Sequence, residues 1–538
     1  MAATGDTGTR VRSKGRFRFV MAFSALSIVA FSSAFDATIL GNALPVIAED
    51  VGATSLESFW MTISFMLASV ALQPVHTAFS DIFGRKPVLF LCCVLFTAGL
   101  IVFGLARSPA AIITGRTIQG MGGGGLEALS EVILTDLTTL KERPLYLGIL
   151  SFFWATAGAV GPPVGGALAQ YASWRWLAWI NLPFMGIAMV LIPLFLTLQQ
   201  DRSSASSKLR RVDWIGIALF IAAVTLLLVP LTCGGNAIAW NSAGTIVSLV
   251  IGGSCLVLFV FAESRAQEPM MPPRVINTPM LAATMLGSLL HGIAMWCILY
   301  YAPLFFESVF GHDPLQSAVD GFSFAFTATP AAILTAFLID AVRRYLWGIA
   351  LGWTLATSGA GAMTLLAVDA SVTAGRALLV PAGLGLGMLY PALAMPVQPA
   401  VGADLAGVAT GTLCFFRSLG MTLGLAIGSA VFSNRFAALL RDSGLADLDG
   451  FDSGARDAVG FIPHLREHDL SPADLLALRK VYAASFRSIC VALSVVAGVG
   501  LLATVFIKDM SIESEDEGRQ AFQTEAITRE DTVEMAQD

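Results

Sequence analysis

Acidic residues lie inside long apolar stretches of this sequence, where a buried charge is costly and therefore points to a function. Glu127 and Glu131 are four residues apart, so on a helix they share one face. Arg116 precedes Glu127 by eleven residues, about three helical turns, and lies on nearly the same face. Such carboxylates can carry a proton, or they can form an internal salt bridge to Arg116 or Arg417. The spacing leaves both interpretations open.

Other polar and aromatic side chains in the apolar stretches could contact a ligand. His291 is a candidate proton relay or equally a satisfied polar contact. Tryptophans and tyrosines could surround a flat apolar molecule, although aromatic belts at the membrane surface would also explain most of them. The residues that we predict to line a substrate cavity are Arg116, Gln119, His291, Trp296, Tyr300 and Arg417.

The elements that carry these residues are predicted to be transmembrane helices. The 538 residues are 56% hydrophobic and 13% charged, with a mean hydropathy of +0.74, whereas soluble domains carry roughly 25% charged residues. A window of span length finds about 14 continuous apolar segments, too long for barrel strands. They begin near Phe19, Phe59, Pro87, Ala110, Leu145, Trp176, Trp214, Ala243, Met280, Ser317, Tyr345, Ala377, Ala406 and Ser488.

Several classes of protein find no support in the sequence. No C-x-x-C pair or regular cysteine spacing indicates a disulfide framework or a metal site. The P-loop pattern for nucleotides is absent, and the glycines of GMGGGG lie inside an apolar segment, where they would pack helices. We therefore expect no enzyme, no cofactor and no nucleic-acid partner.

A short charged turn joins the second and third apolar segments. Ser58 to Ser80 and Pro87 to Ala106 contain no charged residue, and the turn between them holds Asp81, Gly84, Arg85 and Lys86. The basic residues alone would mark a cytoplasmic loop. An Asp and a Gly at fixed offsets favour a gating latch whose charges change partners. Asp136, at the end of the fourth segment, is the predicted partner of Arg85.

The basic residues also predict the orientation of the chain. They cluster at the N-terminus and in alternate loops, including those with Arg85, with Lys141 and with Arg343, so these loops are predicted to be cytoplasmic. The turn has a degraded repeat in AFLIDAVRRYLWGIALGW, where Asp340 precedes Arg343 and Arg344 but the glycine is lost. The chain is therefore predicted to contain two similar halves.

These motifs resemble the major facilitator superfamily. The turn matches its signature G-x-x-x-D-x-x-G-R-K/R-x, except that His76 or Thr77 replaces the first glycine. FDATILGNALPVIAED resembles the D-x-T-x-x-x-x-A-L-P motif of the 14-span drug:proton antiporter-2 branch, and GRTIQGMGGGG resembles its R-x-x-Q-G-x-G motif. GAVGPPVGGAL resembles the antiporter motif, shortened by one residue at its first glycine. The residues that correspond to this motif are Gly158, Gly161, Pro162, Gly165 and Gly166.

The resemblance implies an all-α polytopic membrane protein of the facilitator fold, with two six-helix halves and two extra helices. We expect a cytoplasmic tail over 1–18, a first half over 19–200, a linker with two helices over 201–274, a second half over 275–507 and an acidic cytoplasmic tail over 508–538. A loop over 434–487 is expected on the outer side. A substrate site would lie between the halves near the membrane midplane.

The resemblance also implies a function. Asp36 stands at the family's position for proton coupling, and Glu127 and Glu131 join it as candidates. We predict a monomeric antiporter of the plasma membrane, or else of the vacuolar membrane, that exports a secondary metabolite, toxin or drug in exchange for protons. An exporter of a small carboxylate, with Arg116 and Arg417 as anion partners, is the alternative within transport. A facilitator-like receptor that does not transport is the alternative from another class.

Overall fold

The computed structural model describes residues 6–198, 204–233, 240–443 and 471–513. Fourteen helices of 14 or more residues account for most of them. They are α1 (Asp6–Ile39), α2 (Ser55–Phe83), α3 (Arg85–Gly104), α4 (Pro109–Leu137), α5 (Arg143–Tyr171), α6 (Leu182–Phe195), α7 (Trp214–Cys233), α8 (Ala243–Glu263), α9 (Pro279–Phe305), α10 (Phe322–Val342), α11 (Leu346–Met363), α12 (Val372–Ala394), α13 (Ala403–Asp442) and α14 (Pro472–Ala503).

Within the described ranges, 12 helices are long and apolar enough to cross a membrane. The all-helical membrane class is therefore confirmed, whereas the predicted number of 14 spans is not. The two helices that fail this criterion are α4 and α11. Helix α4 carries Arg116, Glu127, Glu131 and Asp136, and the 18 residues of α11 include many Gly, Ser and Thr. Polar side chains lower the mean hydropathy of α4 although most of that helix is buried, and glycine, serine and threonine lower the mean hydropathy of α11.

The packing of the helices repeats between the two halves of the chain. In the first half α1 packs on α5, and α4 packs on both α2 and α3. In the second half α9 packs on α13, and α12 packs on both α10 and α11. The halves meet where α5 contacts α10 and where α13 contacts α2 and α4. This correspondence of contacts agrees with the predicted duplication.

Helices α7 and α8 form a pair outside this repeat. They pack on each other, and α7 also contacts α2 and α13. Helix α8 exposes much of its apolar surface, including Val250, Val257 and Val260. A helix that is apolar on its exposed face suits contact with lipid. The pair thus packs on the outside of the bundle, where α7 contacts one helix of each half.

The charged turn and its repeat both place a residue with a positive φ at the end of the preceding helix. Gly84 ends α2 with φ +102°, and its N–H donates to the carbonyl oxygen of Ser80. Arg343 ends α10 with φ +60°, which only a few non-glycine residues adopt. Arg343 forms an ion pair with Asp340 at 3.0 Å. The ψ angles differ, 148° at Gly84 and 26° at Arg343, so only Arg343 has the left-handed helical conformation.

The helices extend into the loop predicted over 434–487. Helix α13 continues to Asp442, and α14 already begins at Pro472. The rings of Phe436 and Tyr482 pack at 4.7 Å, and both side chains are buried. Charged residues interrupt the apolar pattern here, but one face of each helix stays apolar. The remainder of this loop, 444–470, and the tail beyond residue 513 lie outside the described residues.

Candidate functional site

The fourth and thirteenth helices bring a buried ion pair to the interface between the halves. Arg417 of α13 donates from one terminal guanidinium nitrogen to Oε1 of Glu131 of α4, and both side chains are almost completely buried. The hydroxyl of Tyr390 donates to the same oxygen at 2.8 Å, and Sγ of Cys414 donates to Oε2 at 3.2 Å. Glu131 is thus held by three side chains of the opposite half.

Glu127 lies one helical turn from Glu131 and is less well satisfied. Its Oε2 accepts a hydrogen bond from Ser418 at 3.1 Å. Its Oε1 lies 3.7 Å from a terminal nitrogen of Arg417 and has no hydrogen-bond partner among the described residues. Two carboxylates therefore share one guanidinium. If both are ionised, the cluster carries one uncompensated negative charge.

A second buried ion pair lies entirely within the first half. Arg116 donates to Asp36 and, at 3.0 Å, to Oε1 of Gln119. The guanidinium carbon of Arg116 lies 4.4 Å from the centroid of the Phe65 ring. Asp36 is completely buried. Of the two cations considered for the glutamates, it is therefore Arg417 that pairs with them, while Arg116 pairs with Asp36.

Aromatic side chains from both halves meet beside the glutamates. The ring centroids of Trp154 and Trp296 are 6.2 Å apart, and those of Trp154 and Tyr390 are 5.9 Å apart. His291 is buried and bonds through Nε2 to the carbonyl oxygen of Leu386 at 3.0 Å, so it makes a satisfied polar contact. Tyr300 is 37% exposed and packs on Tyr301, outside this cluster.

A small cavity of about 40 Å³ lies among these residues. Residues of α1, α2, α4, α5, α9 and α13 line it, so both halves contribute to its wall. Glu127, Trp154, Trp296 and Ser418 are among the lining residues. A cavity of this size holds only a few water molecules, since drug-sized ligands need roughly 300–1,000 Å³.

The charged turn forms a network at one end of the bundle. Nε of Arg85 lies 2.8 Å from Asp136, and NH1 lies 2.5 Å from Asp81. Lys86 donates to the carbonyl oxygen of Pro193 at 2.8 Å. A Cβ atom built on Gly407 of α13 would collide with the Arg85 guanidinium. The turn thus ties α2 to α4 and also touches the second half.

Further contacts hold the halves together at the same end. Arg143 donates to the carbonyl oxygen of Thr135 at 2.7 Å and to the amide oxygen of Gln398 at 2.9 Å. Arg343 donates to the carbonyl oxygen of Lys141 at 2.8 Å. Because positive charge predicts that this end is cytoplasmic, the bundle is closed toward the predicted cytoplasmic side.

The glycines of the antiporter motif let α5 approach α1. A Cβ atom on Gly161 would strike the Thr38 hydroxyl, and one on Gly165 would strike the carbonyl oxygen of Ile39. Gly166 is also buried. Gly158 differs, since a Cβ atom there would meet nothing within 4 Å. Pro162 lies inside the helix without ending it.

Sequence reasoning missed three residues that complete the site: Tyr390, Cys414 and Ser418. The signal for Cys414 was its position three residues before Arg417, on the same helix face, whereas Ser418 is the next residue and lies about 100° around the helix. Tyr390 stands alone in an apolar run, next to Pro391. Its position opposite Glu131 depends on how the halves pack, which no local pattern encodes.

Comparison with known proteins agrees with this architecture. The sequence model of the Major Facilitator Superfamily matches residues 26–425. The chain is 38% identical to MFS transporter L2 of Phoma sp. over 96% of this chain and 86% of that protein. It is 33% identical to the MFS-type efflux pump MMF1 of Pseudozyma antarctica over 95% of this chain and 94% of the pump.

Solved structures share the fold at low identity. The human organic anion transporter MFSD10 (TETRAN) superposes with a TM-score of 0.59 at 15% identity, over 90% of this chain and 99% of that chain. The proton:xylose symporter XylE superposes with a TM-score of 0.57 at 12% identity, over 94% and 98%. At such identities only the fold is shared. From the helices, the interface between the halves and the family match, the chain belongs to the major facilitator superfamily and is an integral membrane transporter, not an enzyme.

Proposed function

We propose that this transporter exports a small organic molecule in exchange for protons. The observation that carries the proposal is the pair of carboxylates, Glu127 and Glu131, that share Arg417 across the interface between the halves. An excess carboxylate at this interface can be neutralised by a proton or by a group of the substrate. Exchange requires that the proton and the substrate compete for the same carboxylate.

Export of a metabolite or toxin is supported by the relatives. The protein from Pseudozyma antarctica is named an efflux pump, and a relative from Aspergillus aculeatus, 33% identical over 93% of this chain, is named a transporter of the acurin A biosynthesis cluster. We extend this direction of transport to the present chain. The plasma membrane is then the membrane we expect to contain it, because export removes the compound from the cell.

Asp36 is a second proposed proton-binding carboxylate, apart from the two glutamates. Its Oδ1 has no hydrogen-bond partner among the described residues, although Oδ2 is paired with Arg116. Protonation of Asp36 would weaken that pair and free the Arg116 side chain to move. We propose that Asp36 senses the proton within the first half, while Glu127 and Glu131 couple it to the interface.

The alternative of a carboxylate exporter has less support. It requires an embedded cation that can receive the anionic substrate, and Arg116 and Arg417 were the candidates. Each of them is paired with at least one carboxylate. An anion would have to compete with an acid that is already fixed beside the guanidinium.

The coupling can be tested in inside-out membrane vesicles. The substrate is first identified by comparing compounds inside and outside cells that overexpress the protein. We expect an acidic vesicle lumen to drive substrate uptake, and a protonophore to abolish it. Asp36→Asn, Glu127→Gln and Glu131→Gln should each remove the gradient-driven component, whereas Glu142→Gln, at an exposed carboxylate, serves as the control. Full gradient-driven uptake by all three variants would exclude this mechanism.

A further inference from the structure

The cavity between the halves has a defined chemistry. Each half supplies one indole ring, Trp154 and Trp296, and one thioether, Met66 and Met421. Such side chains offer polarisable apolar surface that adapts to ligands of different outline. The wall therefore favours a flat apolar body.

The polar part of the cavity is acidic. Glu127 is 16% exposed, and its Oε1 has no hydrogen-bond donor among the described residues. None of the described lining residues is a Lys or an Arg. Arg417 is next to the lining residue Ser418 in the chain but is not itself a lining residue. It pairs with Glu131, and its guanidinium carbon lies 4.3 Å from the centroid of the Tyr390 ring. A ligand in the cavity can therefore donate a hydrogen bond to Oε1 of Glu127, and it meets no Lys or Arg among the described lining residues.

We propose that the cavity selects a flat aromatic molecule that carries a hydrogen-bond donor, with a protonated amine favoured over a neutral ring and a carboxylate rejected. The donor binds Oε1 of Glu127, and the ring inserts between Trp154 and Trp296. This inference rests on the proposed transport function and assigns the substrate class of the same site.

The cavity must enlarge before an aromatic ligand can bind. At about 40 Å³ it cannot hold an aromatic ligand in the described conformation. The two indole rings are in contact, with centroids 6.2 Å apart. Binding must therefore separate Trp154 of the first half from Trp296 of the second. Substrate entry and opening of the interface are then one event.

Equilibrium binding to the purified full chain in detergent tests this selectivity. The probes share one ring system and differ in charge: 9-aminoacridine, acridine and acridine-9-carboxylate, titrated by calorimetry at neutral pH. We expect 9-aminoacridine to bind roughly tenfold or more tightly than acridine, because a charge-assisted hydrogen bond is strong. The carboxylate should bind most weakly.

Variants separate recognition from folding. Glu127→Gln should lower the affinity for 9-aminoacridine roughly tenfold or more and leave that for acridine unchanged, while Trp154→Ala should weaken both. Equal loss for both probes in Glu127→Gln, tighter binding of the carboxylate, or no binding of any probe would overturn the inference. No proton gradient is present, so failure of the proposed coupling in vesicles would leave these results unaffected.

Discussion

At the scale of single residues, the ion pair between Glu131 and Arg417 joins the two halves. Both side chains are 3% exposed, and each belongs to a different half. A buried pair contributes little net stability when compared with apolar residues, but removal of one partner leaves an uncompensated charge. We therefore expect the pair to affect the interface mainly when one of its two charges is neutralised.

Arg417→Gln should destabilise the protein by about 3–5 kcal/mol, because it leaves Glu127 and Glu131 without their shared cation. Adding Glu131→Gln to this variant should recover a large part of the loss. The thermal midpoint of the detergent-solubilised protein, measured by size-exclusion chromatography after heating, reports both effects. A double variant as unstable as Arg417→Gln alone would show that the unpaired carboxylate charge is not what destabilises the single variant.

The sequence predicted these residues better than it predicted their partners. Helical spacing correctly placed Glu127 and Glu131 near one another, since both contact Arg417. The same spacing made Arg116 as good a candidate partner as Arg417. Arg116 is instead occupied by Asp36 of α1, and that choice depends on which helix packs against α4. Which arginine pairs with the two glutamates is therefore determined by the tertiary packing of the helices.

At the scale of elements, close packing of α1 on α5 depends on the absence of side chains at two positions. A Cβ atom at Gly161 or Gly165 would overlap with atoms of Thr38 or Ile39, whereas Gly158 has open space. The hydroxyl of Thr38 also lies 3.4 Å from the carbonyl oxygen of Ala157. Small residues at one face of a membrane helix commonly allow such an approach.

Gly165→Ala should therefore lower the thermal midpoint, because the added methyl group forces α1 away from α5. Gly158→Ala is the matched control in the same helix. It should be neutral or stabilising, since Ala is about 1 kcal/mol better than Gly inside a helix. The thermal midpoints of the two variants, measured in the same detergent, show whether the contact with α1 causes the loss of stability. Equal loss in both would show that the helix, and not the contact, is sensitive to substitution.

Apolar patterns predicted a segment for each of the 14 long helices but misjudged where α13 ends and where α14 begins. The end of α13 and the start of α14 were predicted to belong to a loop. Four charged residues interrupt the apolar pattern there, namely Arg435, Arg441, Arg479 and Arg487. These charged residues lower the average hydropathy of the helix ends, although one face of each helix packs against the bundle.

At the scale of the whole molecule, three side-chain contacts between the halves lie at the predicted cytoplasmic end. Arg143 with Gln398, Arg343 with Lys141 and Arg85 near Gly407 all lie there. Opening toward the cytoplasm would have to break these contacts together with the pair of Glu131 and Arg417. Neutralising Glu131 would leave Arg417 with only the longer ion pair to Glu127, at 3.7 Å, and a weaker attraction between the halves would be a physical route from protonation to opening.

The number of membrane crossings depends on whether α11 crosses the membrane. Helix α11 packs on α12 as α3 packs on α4, and the left-handed residue Arg343 turns the chain into it. If α11 crosses, five helices separate Ser264, after α8, from Ser471, before α14, and the two residues lie on opposite sides. If α11 does not cross, four helices separate them and they lie on the same side.

Single cysteines at these two exposed positions therefore distinguish the topologies. In intact cells an impermeant maleimide should label Ser471→Cys, and it should label Ser264→Cys only after permeabilisation, because the basic residues next to Ser264 predict the cytoplasmic side. The unsubstituted chain is the control for its seven native cysteines, six of which are buried. Labelling of both positions from the same side would remove α11 from the spans, and with it the correspondence between the halves. The reverse pattern, with only Ser264→Cys labelled in intact cells, would keep the spans but invert the protein, so that the closed end would face outward.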